Sequence, residues 1–254
     1  MVAKIWPNFD AKTVLKARIR KQEAMSGEFD EYVDDYVDQH SKSIRLSGES
    51  PDFFAEYKIK ELKKMADNWG FSDPAILDFG SGIGNSVPAF RTHFTGVDVT
   101  QADLSPDSLT RARELHSGTE RQIQISETGI PVEADSFDIV FTACVFHHIP
   151  HDEHDFWLRE LLRVTAPGGR LVIFEHNPWN PLTLHAVRNC PFDVNAHLIT
   201  APQMAKRLRA AGWSDVKNTF HVFFPAALAP LRAIDPALGW CPIGAQYSCA
   251  GRAP

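Results

Sequence analysis

The sequence carries no block of basic residues. Its 26 Lys and Arg are outnumbered by 32 Asp and Glu, leaving a net charge of −6 with histidines neutral. Nucleic acid needs a clustered positive footprint, so it is excluded as an expected partner. Nor is there an apolar run long enough to span a bilayer, and the opening stretch "MVAKIWPNFDAKTVLKARIRKQ" lacks the continuous apolar segment of a signal peptide. The expectation is a cytoplasmic protein. The four cysteines, Cys144, Cys190, Cys241 and Cys249, form no C-x-x-C pair. Neither a zinc site of that type nor a disulfide framework is expected, and each reads as a small buried apolar residue. Internal repeats and low-complexity tracts are also missing.

What is present is 254 residues, 44% hydrophobic and 23% charged, ample for one large α/β domain with an appended lid and tight for two equal domains. Residues 1–70 have a charged, helical pattern with Phe29, Tyr32, Tyr36, Phe53, Phe54 and Tyr57 spaced to share helix faces. Gly70 and Pro74 end that rhythm, and short apolar strands alternate with helices thereafter. The strands are "AILDFG", "TGVDVTQADL", "RQIQIS", "SFDIVFTACVF" and "RLVIFEH", followed by "DVKNTFHVFF" and "GAQYSCAGR". Helices lie between them, one capped by Ser105 with Pro106 in the first turn, one running over "DEHDFWLRELLRVTA" and closed by "PGG", and one ending at Gly212. Such alternation predicts a mostly parallel sheet with helices on both faces. Two irregular insertions, at about 178–199 and 225–243, interrupt it.

In such a sheet, ligands bind beyond the carboxyl ends of the strands where the strand order reverses. The stretch "ILDFGSGIG" sits there, with Gly80, Gly82 and Gly84 at alternate positions. A dinucleotide fingerprint fails in both frames, because Asn85 or Val87 stands where the third glycine belongs. A P-loop fails too, since no G-K-[ST] follows. An acid at the end of the next strand, about 20 residues on, would take ribose hydroxyls. Asp98 and Asp103 compete, and the cap at Ser105 favours Asp103 because it forces the strand to end near residue 103. A plain turn aspartate is the alternative.

Taken together, "LDFGSGIG", "ADLSPDSLTRAREL", "SFDIVFTACVFHHIP" and "ELLRVTAPGGRLVIFEHNP" resemble the ordered motifs of class I S-adenosylmethionine-dependent methyltransferases, over roughly residues 70–180. The resemblance implies a Rossmann-like seven-stranded sheet of order 3-2-1-4-5-7-6 with the last strand antiparallel, an N-terminal helical extension over 1–70 and the methyltransferase domain over 71–254. It implies S-adenosylmethionine as cofactor, S-adenosylhomocysteine as product and a small-molecule acceptor. Asp78, Gly80, Ser81, Gly82 and Gly84 would flank the methionine part, with Ala143 and Cys144 nearby; Asp103 and Leu104 would hold ribose and adenine. Where many relatives carry an adenine-binding aspartate, this chain offers Ser126 and Glu127.

Transfer of a methyl group to an alcohol releases a proton, so a histidine or carboxylate in reach is the natural base. His147 and His148 are consecutive and cannot both point one way from an extended backbone. By resemblance, His148 is the candidate base and Glu175 the acid that orients it; alternatively the His pair packs and caps the loop. His151, His154 and Asp155 complete a cluster without a partner motif such as H-E-x-x-H, so no metal is expected. His176, Trp179, Arg188 and His197 lie where a substrate cap would sit. Tyr32 and Tyr36 either wall the same pocket or dock the extra helices. The leading expectation is O-methylation of a sugar or secondary metabolite, with C- or N-methylation of a quinone-like acceptor behind it. A nicotinamide-dependent oxidoreductase and a non-catalytic cofactor-binding module are the rivals from other classes.

Overall fold

Among the described residues the first helix, α1 (Pro51–Trp69), begins at Ser50, because its hydroxyl accepts the Phe53 amide at 3.2 Å and Pro51 has no amide to satisfy. Gly70, at φ 82°, ends it in the left-handed region. Along one face, Phe54, Lys58, Ile59, Leu62 and Ala66 are buried. Lys58 is the one charged member of that stripe, and it reaches the candidate site.

The computed structural model describes residues 48–254 except 191, 192 and 194. Tyr32, Tyr36 and most of the expected N-terminal extension therefore lie outside the described residues. Downstream, the elements are β1 (Ile76–Phe79), α2 (Val87–His93), β2 (Val99–Asp103), α3 (Pro106–Leu115), β3 (Arg121–Gln124), β4 (Phe137–Ala143), α4 (His154–Val164), β5 (Thr165–His176), α5 (Pro181–Arg188), α6 (Ala201–Ala211), β6 (Ser214–His221), a 3-10 helix (Ala226–Ile234), α7 (Asp235–Leu238) and β7 (Gln246–Arg252). The seven strands form one sheet in the order β3-β2-β1-β4-β5-β7-β6, as expected. β7 runs antiparallel to both β5 and β6, and the remaining pairs are parallel. The order reverses between β1 and β4, which opens a crevice at their carboxyl ends.

Cover on both faces explains the near-continuous apolar strands. On one face Leu158 and Leu161 of α4 and Met204 and Leu208 of α6 pack with Leu77, Val140 and Leu171. On the other, Ile59 and Leu62 of α1 and Phe90 of α2 pack with Ile76, Ile139, Phe141 and Phe174. α1 is thus part of the core, anchored over β4 and β5, which holds its polar residues at a fixed height above the crevice.

One boundary differs from the sequence reading. The "PGG" stretch does not simply close α4: β5 begins at Thr165, which also donates to the Leu161 carbonyl at 2.7 Å, and the strand runs through both glycines. A side chain at Gly169 would come within 2.8 Å of the Asp138 carbonyl, so glycine permits the close strand contact there.

The two insertions are tied together. Asn180, the cap of α5, donates to the Ile243 carbonyl at 2.7 Å, and Asn177 donates to the Pro242 and Gly244 carbonyls at 2.9 and 2.8 Å. Arg232 of the 3-10 helix pairs with Glu49 and lies over the Phe53 ring at 4.6 Å. Trp179, Leu182, Trp240 and Ile243 are left exposed on these segments. Among the described residues no helix is long and apolar enough to cross a membrane.

Candidate functional site

The loop after β1 turns back on itself because the Gly80 and Ser81 amides both donate to the Ala102 carbonyl, at 2.7 and 3.2 Å. All three glycines have positive φ. Their surroundings differ. A Cβ at Gly80 would stand 2.4 Å from Val145 and one at Gly84 2.9 Å from Gln101, whereas one at Gly82 would meet nothing within 4 Å. Gly82 therefore faces open space, and the buried Ser81 hydroxyl beside it has no hydrogen-bond partner.

Asp103 is the last residue of β2, and its carboxylate spans the turn: one oxygen accepts the Gly82 amide at 2.8 Å, the other the Ser105 amide at 2.9 Å. Its competitor Asp98 is exposed and precedes the strand, rather than lying within it. Asp78 is buried at the end of β1; burial, then the neighbouring Asp103 charge, push its carboxyl up to about 7 against the pull of Lys58. Leu104 packs on the core, and Ser126 sits in a tight turn with its hydroxyl 2.8 Å from that of Thr128. Glu127 lies half-buried in the same turn.

At the end of β4, Ala143 is half-buried and Cys144 has φ 59°. The Cys144 thiol is not the apolar filler expected from sequence. Lys58 Nζ lies 3.4 Å from its sulfur and Gln246 Nε2 3.9 Å, and Gln246 in turn contacts His176 and the Tyr57 hydroxyl. Burial acts to raise the thiol, but the His176 and Lys58 charges prevail and bring it down to about 7.

The histidine pair departs further from expectation. Residues 146–148 form a turn, not an extended segment, so the His147 and His148 rings lie side by side with centroids 4.1 Å apart. Glu175 pairs with His147, not with His148: its carboxylate lies 2.6 Å from His147 Nδ1 and accepts the Phe146 amide at 2.8 Å, with both side chains buried. On the far side of the ring, Asp193 lies 3.3 Å from His147 Nε2 and 3.6 Å from His148 Nε2. Burial favours neutral His147, but the charges of Glu175 and Asp193 hold its pKa well above the usual range. Burial and then the adjacent His147 charge push His148 down to about 3.

Asp193 was missed because it lies in the insertion, where no strand or helix rhythm marks its position. His154 serves the fold instead: buried at the start of α4, its Nε2 donates to the Phe146 and Ile149 carbonyls. Of the expected cap residues, His176 joins the site, with its ring 5.2 Å from that of His147. Trp179 is half-exposed beside Phe220, and Arg188 and His197 are exposed. The His197 amide, however, donates to the His147 carbonyl at 2.8 Å and so fixes the turn.

Residues 77–173 match the family described as a methyltransferase domain. Over 182 residues the chain is 31% identical to a demethylmenaquinone methyltransferase of Streptomyces avermitilis, covering 62% of this chain and 74% of that protein. The chain belongs to the class I S-adenosylmethionine-dependent methyltransferases. It is 33% identical over 135 residues to the chloroplastic tocopherol O-methyltransferase of Arabidopsis thaliana, covering 51% of this chain and 36% of that protein. In fold it resembles a possible histamine N-methyltransferase of Thermotoga maritima, with a TM-score of 0.64, 16% identity, and 91% and 100% of the two chains covered. Phosphoethanolamine N-methyltransferase 2 of Haemonchus contortus, in complex with S-adenosylmethionine, aligns with a TM-score of 0.59 at 16% identity, covering 89% of this chain and 60% of that one. This methyltransferase therefore uses S-adenosylmethionine, and the oxidoreductase and non-catalytic alternatives are set aside.

Proposed function

We propose that this methyltransferase acts on a small molecule bearing an aromatic hydroxyl and transfers the methyl group to that oxygen. The observation that carries the reading is His147, just beyond the carboxyl end of β4, clamped between Glu175 at 2.6 Å and Asp193 at 3.3 Å. Bound S-adenosylmethionine supplies an already activated methyl group. The protein's tasks are alignment, exclusion of water and disposal of the acceptor's proton.

The first task falls to the glycine loop and Asp103. The open face of Gly82 and the unpartnered Ser81 hydroxyl fit a polar ligand lying against the loop, and the Asp103 carboxylate can accept from a ribose diol beside its two amide bonds. Asp78 and Lys58 offer opposite charges to the ammonium and carboxylate of a methionine moiety. Proton disposal falls to His147, His148 and Asp193, with Glu175 fixing the His147 ring.

The relatives, named for menaquinone, phytyl hydroquinone and tocopherol, support a quinone-like acceptor over a sugar, and the tocopherol O-methyltransferase among them supports oxygen as the atom methylated. A second reading, methylation of a ring carbon activated by its hydroxyl, draws on the demethylmenaquinone relative and on the exposed apolar group Trp179, Leu182, Trp240 and Ile243, which suits an acceptor with an apolar tail. Incubating the protein with labelled methyl donor and separate phenol, hydroquinone and sugar panels, then locating the label by mass analysis, tests both. A labelled aryl methyl ether is expected. Label confined to sugars, or to ring carbon, overturns the first reading.

A further inference from the structure

We propose that His147, His148 and Asp193 form a binding site for a divalent first-row transition-metal ion, with zinc the best match to the donors. Each contributes one ligand atom, and the three atoms lie within 4.8 Å of one another. Two imidazoles and one carboxylate form the donor set of metal sites that keep a position open for substrate.

The distances argue for an ion more than for hydrogen bonds. Charge-assisted N–H···O bonds shorten to about 2.7–2.9 Å. Here one carboxylate oxygen is shared between two ring nitrogens at 3.3 and 3.6 Å, long for either. Zinc bonds of about 2.0–2.2 Å to nitrogen and oxygen, arranged tetrahedrally, place neighbouring ligand atoms about 3.3–3.6 Å apart. The two spacings to the Asp193 oxygen fall in that range.

Support behind the ligands is also built. Metal-bound histidines usually donate their other ring N–H to a carboxylate, which fixes the ring and strengthens the ligand. Glu175 does this for His147 at 2.6 Å. The turn carrying both histidines is held by the His148 amide on the Val145 carbonyl at 3.0 Å and by the His197 amide on the His147 carbonyl at 2.8 Å. His148 and Asp193 retain 19% and 11% side-chain exposure, which leaves an access path from solvent.

The ion would replace the proton on His147 Nε2. In its open position a hydroxyl would lose its proton more readily. That role rests on the proposed hydroxyl acceptor, whereas the site itself does not. No metal is expected from sequence because the histidine cluster has no partner motif such as H-E-x-x-H, and Asp193 supplies a third ligand from the insertion instead.

The test uses the full-length protein stripped by chelator and titrated with Co²⁺ in the visible range and with Zn²⁺ by calorimetry. One equivalent is expected, with the cobalt bands of a four- or five-coordinate site and a rise in unfolding temperature with Zn²⁺. His148→Ala and Asp193→Asn should each weaken binding at least tenfold, and Glu175→Gln by roughly 10- to 100-fold. S-adenosylhomocysteine titration checks that each variant is folded. Should a variant fail to fold, the wild-type cobalt spectrum decides: no bands at equimolar metal overturn the site, as do affinities unchanged by both substitutions. Metal binding without aryl ether formation removes the proposed acceptor and leaves the site; the reverse result removes the site alone.

Discussion

The Asp103 carboxylate accepts the Gly82 amide at 2.8 Å, joining the carboxyl edge of β2 to the one glycine of the β1 loop whose α-carbon faces open space. The bond holds the loop and the acid together, as the proposed cofactor contact on both requires. Asp103→Ala removes it along with the proposed acceptor for the ribose diol. Hydrogen bonds to charged groups contribute about 1.5–3 kcal/mol, so S-adenosylhomocysteine should bind roughly 10- to 150-fold more weakly by calorimetry. Unchanged affinity would place the nucleoside elsewhere.

Gly80 and Gly82 should respond differently to alanine. At Gly80 the new methyl group meets Val145 at 2.4 Å in a backbone at φ 73°, so folding stability should fall by about 1–3 kcal/mol, measured by urea unfolding. At Gly82, with φ 53° and clear surroundings, stability should fall by only about 1 kcal/mol while cofactor affinity drops. Equal effects on both properties at both sites would contradict the assignment of Gly82 as the contact glycine.

Asp78 gives a pH dependence of definite sign. With its carboxyl at about 7 in the fold against an ordinary value of 3.8, the folded state holds the extra proton, so stability falls as pH rises from 4 to 7 and levels above. The full span is on the order of 4 kcal/mol. A bound ammonium group would require the ionised form, so S-adenosylhomocysteine affinity should increase over the same range and its binding should release a proton. Calorimetry in buffers of different ionisation enthalpy reads that proton, and Asp78→Asn should abolish both trends.

His148→Ala should keep cofactor affinity and lose turnover, by about 10²- to 10⁴-fold if the histidine cluster handles the proton. Full turnover in this variant would remove His148 from the mechanism.

Much of the fold was legible because local signals and packing agree. Ser105, Pro106 and Gly212 occupy the cap and stop positions their chemistry favours, and the mostly parallel sheet follows from the βαβ rhythm, whereas its strand order comes from the resemblance to class I methyltransferases. The stretch around His147 was harder to read. Consecutive side chains diverge only on an extended backbone, and the turn after Phe146 turns both rings to one side. The partner of Glu175 depended on that turn. Lys58 was passed over because it falls in an apolar helical stripe that reads as core, and the polar setting of the Cys144 thiol was not legible because Lys58 and His176, which lower it, come from other elements.

Arg232 binds the N-terminal end of α1 through Glu49 and Phe53, while α1 carries Tyr57 to Gln246 and Lys58 to Cys144. The helix and the loop between the last two strands are consequently one packed unit. Grafting either alone into a sister enzyme would strand a guanidinium or a carboxylate without its mate, so changes in acceptor preference should travel with both segments at once.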